Sequence, residues 1–154
     1  MTGRPELEGS LELCAFVPFR LNRLASGVSQ YLAAIYQDRF GLDIPQWRVI
    51  ATVGGRACTA QHIAASTRMH KTRVSRAIAE LEVRDLIERA SNEQDRRERQ
   101  VRLTKAGGRM YAELVPLVLE RERSLLTCLS GGQLQGFLEA LQVLEKFLHL
   151  EEEP

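Results

Sequence analysis

Apolar side chains recur at steps of three and four residues through the first part of the chain, over residues 11–40. This spacing places them on one face of a helix. They are Leu21, Leu24, Val28, Tyr31, Leu32, Ile35 and Tyr36. Pro18 interrupts the pattern early, so we expect the helix to kink or to begin afresh there. Gly41 is well placed to end it, and the pattern therefore predicts a long amphipathic first helix.

Two short helices joined by a tight turn are predicted in the middle of the chain. An earlier helix, which Asp43 can cap, ends at the glycine pair that precedes them. Thr59 is suited to cap a helix over residues 60–66, and a second helix over about 70–84 follows the turn at 67–69. This arrangement is the helix-turn-helix pattern.

A hairpin and two further helices are predicted after this motif. Residues 101–103 alternate apolar and polar side chains as a half-buried strand does, and residues 86–89 are a weaker strand candidate. The charged stretch 91–98 between them would form the hairpin tip. A helix over about 105–129 and a last helix capped by Ser130 follow. The predicted fold is mainly α with a small β-hairpin wing, a winged helix-turn-helix.

Charge is segregated along the chain although the formal net charge is only +1. Residues 56–109 hold thirteen Lys and Arg against seven Asp and Glu, a net charge of +6, and the other residues together carry −5. A basic segment of an otherwise acidic protein attracts a polyanion, because each neutralised phosphate releases condensed counterions. The alternative is a charged surface that is merely solvated.

Several classes of protein are disfavoured by the composition. The first ten residues are polar, and no apolar run approaches the roughly 20 residues of a membrane span, so we expect a cytoplasmic protein without a membrane partner. The cysteines are too few and too widely spaced for a disulfide framework or a zinc site: Cys14, Cys58 and Cys128. The histidines are equally dispersed: His62, His70 and His149. With no phosphate loop or nucleophile elbow either, we expect no enzyme, metal or cofactor.

The second short helix of the motif carries the candidate DNA contacts. The major groove accepts one helix, and the N-terminal part of a recognition helix points at base edges. The polar residues there are Lys71, Thr72, Arg73, Ser75 and Arg76. An ordinary solvated helix face is the alternative. The hairpin favours DNA, because arginines at its tip, Arg96 and Arg97, would reach the minor groove while Asp95 orients them.

Four stretches give the chain a resemblance to the multiple-antibiotic-resistance regulator (MarR) family of winged helix-turn-helix proteins. They are residues 46–50, 71–81, 95–97 and 103–107. One departure is Asp85, where the family usually has glycine between the recognition helix and the wing.

The resemblance covers nearly the whole chain and implies one domain over residues 1–154 with a winged helix-turn-helix lobe at about 44–104. It also implies a homodimer held by the first, fifth and sixth helices, from regions of about 11–40 and 105–150. The long apolar stripes at both ends of the chain are compatible with a partner. Such a dimer would bind a pseudo-palindromic operator.

Members of the family commonly release DNA when a small molecule binds between the dimer body and the DNA-binding lobe. The expected function is therefore a repressor released by an aromatic acid or its coenzyme A thioester, since arginines beside aromatic rings suit such ligands. The candidate effector residues are Arg20, Tyr31, Tyr36, Gln46, Trp47 and Arg48. Packing at a hinge and surface charge are the alternative roles for these residues.

Two other functions stay open. Some members of the family sense organic hydroperoxides through a cysteine near the start of the first helix, a position that Cys14 matches. Its apolar sequence neighbours favour a buried structural thiol instead. The second is a helical protein-interaction adaptor, which would explain the long apolar helices but not the arginine-tipped hairpin.

Overall fold

The computed structural model describes residues 11–91 and 99–150. Within these residues the elements are α1 (Val17–Phe40), α2 (Ile44–Gly55), β1 (Cys58–Thr59), α3 (Ala60–Thr67), α4 (Lys71–Val83), β2 (Ile87–Ser91), β3 (Arg99–Leu103), α5 (Lys105–Leu126) and α6 (Gly131–Phe147). The predicted mainly α fold with a β-hairpin is confirmed. None of the helices in the described ranges has both the length and the apolar character needed to cross a membrane.

Both ends of α1 follow from local chemistry. Pro18 lies in the first turn, where its missing N–H costs no helical hydrogen bond, so the helix begins there and the alternative of a kink at Pro18 is wrong. Gly41 ends the helix in the left-handed region at φ 60°, and its N–H donates to the carbonyl oxygen of Gln37 (3.0 Å).

The predicted caps are present on the later helices. The Asp43 carboxylate accepts from the Gln46 N–H (2.8 Å), and the Gln46 side-chain oxygen accepts from the Asp43 N–H (3.1 Å), which forms a capping box at the start of α2. Thr59 caps α3 by accepting from the His62 N–H. Ser130 and Gln133 form a second capping box at the start of α6.

The hydrophobic core lies in the lobe formed by α2, α3, α4 and the sheet. Its fully buried side chains include Ile50, Ile63, Leu81 and Val101. Three helices contribute little to it: α1 buries Ala33 and Tyr36, α5 buries Gly107 and Leu114, and α6 buries no residue. The lobe is therefore the well-packed part of the single chain.

The sheet is antiparallel and has three strands in the order β1-β3-β2. The predicted hairpin pairs β2 with β3, with Ile87 opposite Leu103. β1 was not predicted, because two residues are too short to show an alternating pattern. It pairs with β3 through Cys58 opposite Val101, and so ties the start of α3 to the wing.

The turn between α4 and the wing has the left-handed geometry that glycine favours, although the residue there is Asp85 at φ +56°. The N–H groups of Asp85 and Leu86 donate to the carbonyl oxygens of Glu82 and Leu81, which is the Schellman pattern. The Thr104 hydroxyl donates to the Asp85 carbonyl oxygen (2.6 Å). Asp85 therefore adopts, with a side chain that has a Cβ, the turn geometry that glycine favours.

Candidate nucleic-acid interface

The two helices of the motif are joined by a turn with one left-handed residue, Arg68 at φ +55°. Its N–H donates to the Ala65 carbonyl oxygen (3.3 Å). His70 then caps α4, because its Nδ1 accepts from the Thr72 N–H (3.3 Å). The sequence had placed His70 at the start of this helix without predicting that its ring would be the cap.

The two faces of α4 separate as the sequence predicted. One face is buried in the lobe and consists of Val74, Ala77, Ile78 and Leu81. All five candidate DNA contacts are exposed: Lys71, Thr72, Arg73, Ser75 and Arg76. The row of exposed polar and basic side chains therefore stands on a helix whose orientation is fixed by its apolar face.

A chain of polar contacts joins this row to α2. The Arg76 Nε donates to Oε1 of Glu80 (3.0 Å), and the side-chain amide of Gln46 donates to Oε2 of Glu80 (2.9 Å). These hydrogen bonds, the one from Arg76 first, lower the pKa of the Glu80 carboxyl below its ordinary value. Sequence reasoning missed Glu80, although its spacing of four residues from Arg76 was a usable signal.

A second contact ties the end of α4 to the end of α1. Arg84 donates from its two terminal nitrogens to the carbonyl oxygens of Phe40 (2.7 Å) and Gly41 (2.9 Å). These carbonyls belong to the C-terminal end of a helix, where cations are favoured. Helix α4 is thus linked at both Glu80 and Arg84 to the region where α1 meets α2. The sequence carried no signal for the Arg84 contact.

The wing is joined to α4 by a charged contact. Arg89 on β2 lies 3.2 Å from the Glu82 carboxylate on α4, and Arg102 on β3 lies 2.7 Å from Glu88 across the hairpin. The predicted tip residues Asp95, Arg96 and Arg97 lie outside the described residues. Their roles stay predictions.

Three of the six candidate effector residues belong to the packing between α1 and α2. Tyr36 is fully buried and stacks on Trp47, with ring centroids 5.4 Å apart and planes 18° from parallel. Burial raises the pKa of Tyr36, the nearby Arg48 opposes this, and Asp43 reinforces it. Gln46 is buried and committed to the capping box and to Glu80.

The other three line two separate clefts. Arg20 and Tyr31 line an open cleft of about 580 Å³ along α1, and the Arg121 guanidinium from α5 lies over the Tyr31 ring at 4.0 Å. Arg48 lines a cleft of about 360 Å³ at the junction of α1, α2 and α4, which Arg73 also lines. The six residues therefore do not converge on one cavity.

The cysteines differ from expectation at one position. Cys14 is exposed within its own chain and lines the 580 Å³ cleft, so the single chain does not bury this thiol as expected. Its apolar neighbours Leu11, Leu13 and Phe16 are themselves exposed and provide no cover. Cys58 is the buried one, and burial raises the pKa of its thiol. No group of three or more His, Cys, Asp or Glu side chains in the described part of the chain is placed to hold a metal ion.

These features define a winged helix-turn-helix fold, and comparison with known proteins agrees. The model of the MarR family matches residues 40–98. A MarR/EmrR family transcriptional regulator from Acinetobacter sp. ADP1 has 23% identity and a TM-score of 0.81, over 92% of this chain and 100% of that one. The family match runs from the end of α1 through β2, and the likeness to the Acinetobacter protein shows the winged helix-turn-helix fold. No curated relative matches this chain at a significant level.

Two other solved structures of this fold carry ligands. S. aureus MepR in a DNA complex has 22% identity and a TM-score of 0.74, over 86% of this chain and 99% of that one. CouR from Rhodococcus jostii RHA1, bound to p-coumaroyl-CoA, has 20% identity and a TM-score of 0.75, over 88% of this chain and 95% of that one.

Proposed function

We propose that the protein is a regulator that binds a pseudo-palindromic operator as a homodimer, with α4 in the major groove and the wing tip in the minor groove. The observation that carries this proposal is the division of α4 between a buried apolar face and an exposed row from Lys71 to Arg76. In this arrangement Thr72, Ser75 and Arg76 contact bases, and Arg73 contacts the backbone.

The dimer in this proposal is supported by the distribution of exposed apolar side chains. Among the described residues, fourteen large apolar side chains are exposed, and thirteen of them lie within residues 11–40 or 105–150. Phe147 is 77% exposed and Val143 68%, and α6 buries nothing within its own chain. Contiguous exposed apolar surface of this kind marks an interface. Helices α1, α5 and α6 would therefore form the dimer body.

A gel-shift series tests the DNA contacts. Duplexes bound by the wild-type protein are first selected from a random-sequence library. Arg76→Ala is expected to weaken binding to the selected operator by about 1–3 kcal/mol, and Arg97→Ala to weaken binding to all sequences alike. The matched control is Arg123→Ala, which removes an exposed arginine of α5. Unchanged affinity in both Arg76→Ala and Arg97→Ala would contradict the proposal.

The effector in this proposal is an aromatic acid or its coenzyme A thioester, whose binding releases DNA and relieves repression. Support comes from the cleft that Arg48 and Arg73 line beside α1, because two guanidinium groups suit a carboxylate or a phosphate. The p-coumaroyl-CoA ligand of CouR is consistent with this class. Thermal-shift screening of aromatic acids and their thioesters tests it, with Arg48→Ala expected to abolish the shift.

A second candidate is peroxide sensing through Cys14, which is exposed within its own chain. Cys14 shares the 580 Å³ cleft with Arg20 and Arg23, and a sensing thiolate needs access to oxidant. If an organic hydroperoxide releases the operator from the wild-type protein but not from Cys14→Ser, and no acid or thioester releases it, this candidate replaces the effector above.

A further inference from the structure

We propose that Glu80 is a specificity-determining positioning residue, which holds the Arg76 side chain for base contact and limits its attraction to phosphates in general. The inference rests on the proposed function, in which Arg76 contacts DNA. It assigns Glu80 and its support Gln46 a role in the choice of sequence.

The geometry of Glu80 differs from that of an ordinary surface ion pair. A pair four residues apart on a helix is usually a weak and mobile contact. Here both carboxylate oxygens are bound, Oε1 by the Arg76 Nε (3.0 Å) and Oε2 by the Gln46 amide (2.9 Å). Gln46 is only 9% exposed and is itself fixed by the capping box with Asp43. The carboxylate is therefore held from α2, and it in turn restrains an arginine on α4.

Glu80 contacts the Nε of Arg76 and leaves free the two terminal nitrogens that would contact a base. Glu80 binds the Nε of the guanidinium, and the Arg76 side chain is 82% exposed. Its two terminal nitrogens are therefore accessible to a duplex. A guanidinium held through Nε can offer a pair of N–H groups to guanine with less loss of rotamer freedom than an unrestrained side chain.

The charge of Glu80 has a separate effect. A free arginine gains affinity for any phosphate, and this gain is independent of sequence. A carboxylate at 3.0 Å cancels part of that attraction. Removal of the negative charge should therefore strengthen binding to arbitrary duplexes while it weakens discrimination at the base pair that Arg76 contacts.

The test compares Glu80→Gln with Arg76→Ala on the selected operator, on its single-base-pair variants and on an unrelated duplex over a range of salt concentrations. Glu80→Gln is expected to lower the ratio of specific to non-specific affinity about tenfold, a value within the range for one bidentate base contact. The loss should fall on the same base pair as that of Arg76→Ala. Binding to the unrelated duplex should become tighter and more dependent on salt.

The matched control is Glu120→Gln, which breaks an exposed ion pair with Arg123 (2.6 Å) on α5 and should leave the ratio unchanged. NMR supplies a structural measurement. The Nε–H resonance of Arg76, assigned from its loss in Arg76→Lys, should shift in Glu80→Gln. If Arg76→Ala weakens operator binding but Glu80→Gln leaves discrimination at that base pair intact, the inference fails and the proposed function stands. If neither variant changes binding, the assignment of α4 as the DNA contact fails as well.

Discussion

The ring of Tyr36 on α1 stacks on the indole of Trp47 on α2, with centroids 5.4 Å apart and planes only 18° from parallel. Tyr36 is 1% exposed, so the stack is a buried contact between the long first helix and the helix-turn-helix lobe. A stacked aromatic pair contributes beyond the area it buries. The packing of α1 against this lobe therefore depends in part on these two rings.

We expect Tyr36→Ala to lower the free energy of unfolding by about 3–5 kcal/mol, because it leaves a ring-sized cavity against Trp47. Tyr36→Phe keeps the ring and should cost less than about 1.5 kcal/mol. Urea titration at one fixed protein concentration measures both, followed by the fluorescence of Trp47, the one tryptophan of the chain. Equal losses in the two variants would show that the ring contact is unimportant.

Ionisation of Tyr36 should also make the stability of the protein depend on pH in the alkaline range. Burial raises the pKa of Tyr36 in the folded chain above its value in the unfolded chain. The unfolded state then loses the proton first as pH rises, so this contribution to stability is full below about pH 10 and falls above it. Tyr36→Phe should show a shallower fall of unfolding free energy above about pH 10. An identical pH dependence in the variant would contradict a raised pKa for Tyr36.

Two adjacent glycines at the start of α5 give a matched pair of variants. A Cβ on Gly107 would lie 1.8 Å from the Leu86 carbonyl oxygen, whereas a Cβ on Gly108 would meet nothing within 4 Å. Gly107→Ala should therefore destabilise by about 1–3 kcal/mol through backbone displacement. Gly108→Ala should stabilise by up to about 1 kcal/mol, because alanine is the better helix former. Thermal unfolding at equal protein concentration compares the two variants. If both variants shift the unfolding temperature in the same direction, the close approach of α5 to Leu86 is refuted.

The elements that the sequence predicted well are those whose causes are local. A cap such as Asp43 or Thr59 acts within three residues of the helix it begins, so residue type and spacing suffice to find it. The exposed row of α4 was likewise predicted from helical periodicity alone. The Gly107 contact could not be found in this way, because it depends on the backbone of Leu86 across the fold.

The features that sequence reasoning missed depend on residues distant in the chain. Gln46 contacts Glu80, which lies 34 residues later in the chain, and no local pattern indicates that pairing. Arg84 contacts carbonyls 43 and 44 residues earlier. Backbone carbonyls are common to every residue, so no pattern of residue types could point to them. Cys14 was misjudged because apolar neighbours in sequence do not bury a thiol when they are exposed themselves.

The turn at Asp85 leads to a last prediction, in which backbone conformation and charge are separated. At φ +56° a side chain with a Cβ is strained, and glycine is not. Asp85→Gly should therefore raise the free energy of unfolding by up to about 1 kcal/mol, and Asp85→Val should lower it by about 1–2 kcal/mol, since a branched Cβ is least tolerated there. Asp85→Asn keeps the tolerance for this region while it removes the charge, and it should remain close to the wild type. Urea unfolding should thus rank glycine first, aspartate and asparagine together, and valine last. A valine variant as stable as the wild type would mean that the chain between α4 and the wing does not adopt the left-handed turn.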